Sequence, residues 1–132
     1  MANAIYPTAK AAFLGADIDL AADTIKVALV DTGTYTYSSA HDFYDDVSAG
    51  VVGTPVTLGS KTTTAGVFDS ADPTWTSVSG STVEAIVMYK DTGVAGTSAL
   101  IAYYDTGITG LTLTPNGGNV TYTVHASGWF AL

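Results

Sequence analysis

Asp-Thr-Gly occurs three times in this chain, at Asp31, Asp91 and Asp105, each time at the end of an apolar segment. Two aspartates held close together cannot both ionise, so they share one proton and can serve as acid and base. Val27-Ala28-Leu29-Val30 ahead of Asp31 is the apolar strand such a site requires. The tripeptide is equally a good turn, in which Asp bonds back to the backbone and Gly accepts a positive φ. Its repetition favours the turn.

Two further clusters invite a metal reading. Asp17-Ile18-Asp19-Leu20-Ala21-Ala22-Asp23 opens like a calcium loop. Ala22 stands where the loop needs its invariant Gly, and Ala28 where it needs the closing Glu, so a solvated turn is expected. His41 and Asp45 have the i, i+4 spacing of a ligand pair, with Asp42 and Asp46 beside them. No third ligand is near, and an acidic first turn of a short helix accounts for the group. No Ser lies in a nucleophile elbow and no Gly-rich loop leads into a helix. The single glutamate, Glu84, falls inside an expected strand. The expectation is a protein that is not an enzyme, with no catalytic residue, cofactor or metal.

The elements that must position these residues are strands. The chain has 132 residues, enough for one domain, and holds 21 Thr, 13 Val, 6 Ile and 8 Tyr with 14 Gly between them. That is the composition of a pleated sheet with many tight turns. Strands are expected at 24–30, 51–58, 61–68, 74–78, 82–90 and 98–105. A final hairpin is expected from 111–114 and 120–124 around Pro115-Asn116-Gly117-Gly118-Asn119. Its arms alternate, with Leu111, Leu113, Val120, Tyr122 and Val124 inward and a ladder of Thr112, Thr114, Thr121 and Thr123 outward. Trp129-Phe130 is expected to close the core or a subunit contact. The fold class is all-β: one antiparallel sandwich or barrel of eight to nine strands over 21–132. Residues 1–20 precede it as an arm or a short helix, the helix running from Pro7 to a stop at Gly15. Ser39 and Asp42 suggest the cap of a second short helix.

Charge restricts the partners. Twelve acidic residues face four lysines and no arginine, a formal net charge of −8. No cationic footprint for nucleic acid can be assembled from Lys10, Lys26, Lys61 and Lys90. No apolar run is long enough to span a membrane, and the first residues lack the pattern of a signal peptide, so a cytoplasmic site of synthesis is expected. Only 12% of residues are charged while 47% are hydrophobic, which suggests surface covered by a neighbouring subunit. Tyr35, Tyr37, Phe43 and Tyr44 cluster near the acidic segment and are candidates for an interface or for the core. Ile5, Tyr6 and Phe13 are candidates for the apolar contacts of an N-terminal arm. Such an arm could add a strand to a neighbour, and its removal would leave the β-core folded.

Two resemblances bear on function. Through Asp31-Thr32-Gly33 and its length, the chain resembles a retroviral-type aspartic protease subunit, which contributes one aspartate and dimerises. It departs from that family in having no arginine and a hairpin where the family has a late helix. The second resemblance covers most of the chain. Ala12-Phe13-Leu14-Gly15-Ala16-Asp17-Ile18-Asp19-Leu20, Asp23 to Asp31, Ser39-Ala40-His41-Asp42-Phe43, Met88 to Gly93, Leu100 to Asp105 and Thr114 to Gly118 look like small structural proteins of tailed bacteriophages. That resemblance implies a virion component, made in the host cytoplasm, that decorates (cements) the head by binding the major capsid protein. Neck, tail and fibre positions are the alternatives. A closed homo-oligomer is expected, a trimer from the lattice role. A carbohydrate-binding module, suggested by the Tyr and Trp content, ranks below these because nothing places Trp75 and Trp129 on one face.

Overall fold

The computed structural model describes residues 3–132. Its elements in chain order are β1 (Ala4–Ile5), α1 (Pro7–Leu14), β2 (Ile25–Val30), β3 (Val51–Thr57), β4 (Val67–Phe68), β5 (Thr74–Trp75), β6 (Ala85–Lys90), β7 (Leu100–Tyr104), β8 (Val120–Thr121) and β9 (Phe130–Ala131). The protein is all-β, with one open antiparallel sheet in the order β1-β7-β6-β2-β3 and two small ladders, β4-β9 and β5-β8. No helix among the described residues is long and apolar enough to cross a membrane.

Residues opposite one another in antiparallel register share a face. Val27, Met88 and Ala102 therefore lie together on one side of the sheet, as do Leu29, Ile86 and Tyr104. The ladders cover this side. The Trp75 indole N–H donates to the Val27 carbonyl at 3.2 Å, and Trp129 stacks 5.5 Å from Tyr104, whose hydroxyl donates to the Trp129 carbonyl. Ala28, Val87 and Tyr103 share the opposite side. The 31–50 loop covers it with Tyr35 and Val47, and Tyr6 joins them from the N-terminal segment. Because both sides are covered, β6 and β7 are buried almost throughout and carry no polar alternation. Lys26 is the only polar interruption in β2, and it pairs with Asp91.

Several expectations are corrected. The final hairpin does not form. Val120 pairs with Trp75 and Thr121 with Thr74, while Leu113 bridges Val83, so the two expected arms grip the 74–83 segment instead of each other. The turn residues Gly117 and Gly118 bond Val78 through backbone hydrogen bonds, and this inserts the Trp75 strand beside β8. The threonines keep their cross-strand role with new partners, Thr74 with Thr121 at 2.8 Å and Thr82 with Thr114 at 3.4 Å. The 61–68 strand shrinks to β4 and a bridge from Thr62 to Asp69. The helix expected after Ser39 is a single 3-10 turn at Tyr44–Asp46. Its carboxylate is Asp46, which accepts the backbone N–H groups of Asp42 and Phe43.

The N-terminal segment is docked, not free. β1 pairs with β7, and the Asn3 side chain accepts the backbone N–H groups of Asp105 and Thr106. α1 packs on β7 and buries Ala9. Gly15 caps the helix, but the left-handed residue that turns the chain is Ala16, at φ 61°. Trp129 and Phe130 close the core: Phe130 lies 5.6 Å from Phe68 and 6.1 Å from Phe13.

Candidate functional site

The densest gathering of polar and aromatic groups lies on the β7 side covered by the 31–50 loop. The loop leaves β2 at Asp31 and is closed at its base by the bond from the Asp31 N–H to the Gly50 carbonyl. The Asp31 carboxylate accepts the Gly33 N–H at 2.8 Å and the Thr34 hydroxyl at 3.2 Å, while its carbonyl accepts the N–H groups of Thr34 and Tyr35. This turn aims Tyr35 into the protein. Gly50 allows it to pass, because a Cβ there would stand 2.8 Å from that of Tyr35.

Tyr35 is the hub. Its hydroxyl shares hydrogen bonds of 2.8 Å with the Tyr6 hydroxyl and with His41 Nδ1, linking the buried core to the surface. Tyr37 stacks between Tyr6 and Tyr103, at 5.1 and 5.2 Å. Burial pushes the phenols of Tyr6, Tyr35 and Tyr103 upward, so they remain protonated donors. For Tyr103 the neighbouring Asp105 and Glu84 carboxylates act in the same direction.

Beside these rings is a cavity of about 330 Å³ lined by Tyr35, Tyr37, Tyr103, Glu84, Asp105 and Thr112 among others. Glu84 is only partly exposed, and its Oε2 is buried without a hydrogen bond. Its backbone N–H donates to the Val30 carbonyl, which fixes the residue just ahead of β6. Asp105 is engaged by the Tyr103 hydroxyl and by Thr106.

The candidate interface residues fall in three places. Tyr6, Tyr35 and Tyr37 come together in this cluster. Tyr6 and Tyr35 are buried by the chain itself, so the contact with a neighbour expected of them is corrected to a core role. Phe43 bridges Ala99 and Tyr44 stacks 4.4 Å from Tyr89, both half-buried at the far end of the same face. Ile5, opposite Ala102, and Phe13, against Phe130, are half-buried elsewhere. Glu84 and Tyr103 were missed as site residues. A lone glutamate abutting the most apolar strand of the chain was the signal available for Glu84.

The candidate metal and acid residues serve their own loops. Asp19 accepts the N–H groups of Ala21 and Ala22, and Asp23 accepts that of Asp19. Lys90 pairs with Asp23 at 3.2 Å and donates to the Asp17 carbonyl, while Lys61 donates to the Asp23 carbonyl. Asp91 accepts the Gly93 N–H, and its ion pair with Lys26 measures 3.2 Å. His41 turns to Tyr35 instead of Asp45, and His125 accepts the Ser127 N–H. No protein-family model and no curated protein matches the chain.

Proposed function

We propose that this chain is a non-enzymatic structural protein of a tailed-bacteriophage virion, a decoration protein that binds the head lattice as a closed oligomer, a trimer on the lattice argument. The observation that carries the reading is apolar surface on a sparsely charged chain. Leu14 is 91% exposed, Leu132 70% and Val94 60%. Leu132 also lines an apolar groove of about 400 Å³ with Phe13, Ile18, Leu20, Val67 and Phe130. Exposed apolar groups gathered about a groove are what a protein contact covers. The resemblance of the chain to phage structural proteins supplies the kind of partner.

The sheet edges favour contact through side chains over strand addition. β1 offers two residues, and β3 carries Pro55, Gly53 at φ 74° and a shift of register against β2. Both are edges built against pairing with another strand. The aspartates of the protease reading instead hold their own turns, as Asp31 does with Gly33 and Thr34.

Leu14→Glu tests the role of this surface. A side chain so exposed contributes little to folding, so the melting temperature should stay near that of the parent. Light scattering and capsid co-sedimentation should show weaker self-association or weaker capsid binding. An unchanged oligomer that pellets with capsids as the parent does would remove Leu14 from the contact.

A further inference from the structure

Glu84 brings a negative charge to an aromatic cavity that no cation of this chain reaches. Lys26, Lys61 and Lys90 are held by Asp91 and by the 17–23 loop, Lys10 is exposed on α1, and none of the four lines the cavity. Glu84 Oε2 is buried with no hydrogen bond, a costly arrangement for a carboxylate unless something arrives to pair with it.

We propose that this cavity receives the alkylammonium end of a lysine side chain from a protein partner, with Glu84 as counter-ion and Tyr37 and Tyr103 as walls for its methylenes. Tyrosine rings attract a cation to their faces, and the attraction grows where water is excluded. The ring planes suit a compact, many-sided cation better than a flat ring. Tyr37 and Tyr103 are inclined at 40° and Tyr35 and Tyr103 at 54°, so they make an angled box and offer no platform for a sugar. A volume of about 330 Å³ holds an extended lysine side chain. Asp105, already engaged by Tyr103, adds to the negative potential. The inference rests on the proposed docking to another protein only for the source of the lysine; the cavity's preference for an alkylammonium stands apart from it.

The test is titration of the full chain with n-butylammonium chloride, followed by amide chemical shifts in ¹H–¹⁵N spectra. Butan-1-ol, glucose and calcium chloride serve as separate probes. Saturable shifts at Glu84, Tyr37 and Tyr103 with butylammonium alone are expected. Glu84→Gln, shown to be folded by its own spectrum, should weaken that binding at least about tenfold, a loss of roughly 1.4 kcal/mol. Shifts that butanol reproduces, saturation by glucose or calcium in place of the amine, or none with any probe would overturn the proposal. Butylammonium binding without capsid binding would leave the cavity assignment standing and remove the head-protein reading. Capsid binding with no response to the amine would do the reverse.

Discussion

Tyr35 shows how a single side chain joins the loop to the core. Its hydroxyl sits between Tyr6 and His41, so replacing it withdraws a partner from both. Tyr6→Phe removes one buried hydrogen bond and should cost about 1 kcal/mol, while Tyr35→Phe should cost more, about 2 kcal/mol. Urea unfolding of the two variants checks the order, and equal losses would mean that the relay contributes nothing beyond packing. A second residue-scale prediction concerns acid. The carboxyl groups of Asp23, Asp46 and Asp91 lie below the ordinary aspartate value of 3.8. The backbone N–H groups of Asp19, Asp42 and Gly93 are the first cause in each case, and Lys90 and Lys26 assist at Asp23 and Asp91. A carboxyl depressed in the folded state stabilises above its unfolded pKa, and that contribution is lost as pH falls through the folded value. The urea midpoint should therefore hold from neutrality to about pH 5 and drop below about pH 4. The triple Asp→Asn variant at these positions should start lower and show a shallower drop. An equally steep drop would place acid sensitivity elsewhere.

At the scale of elements, legibility follows how local the determinants are. β2, β3, β6 and β7 were readable because runs such as Ile25–Val30 and Ala85–Lys90 combine β-branched residues with turn residues at both ends. The last hairpin was not, because its turn and alternating arms suit a local pairing that a distant strand displaces. Trp75 buries fully by entering beside Val120, and sequence distance hides that gain. The N-terminal segment misled for a related reason: eight residues of helix look independent until Tyr6 is seen filling the core beneath the 31–50 loop. Glu84 and Tyr103 are near one another only through the sheet, so the cavity had no signature in the chain, whereas the Asp31 turn was plain from its own tripeptide. Gly128 makes the β4-β9 ladder testable. It has φ 82°, and a Cβ there would meet the Phe68 carbonyl oxygen at 2.7 Å. Gly128→Ala should cost about 2–3 kcal/mol through backbone strain and displacement of Trp129. Wild-type stability by calorimetry would mean that the ladder is not held as described.

For the whole molecule, the question is why so acidic a chain carries so few charges. Eight net negative charges keep free copies apart, while Leu14, Val94, Leu132 and the groove beside Phe13 remain uncovered. Assembly onto a repeating lattice resolves both, since several modest contacts add when the sites are linked. The central claim is head decoration. It is tested most directly by co-sedimenting the purified chain with empty capsids of the phage that encodes it, over a range of concentrations. The account predicts saturable pelleting at a fixed ratio to the shell protein. Failure to pellet at any concentration would contradict it and move the protein to the neck, tail or fibre.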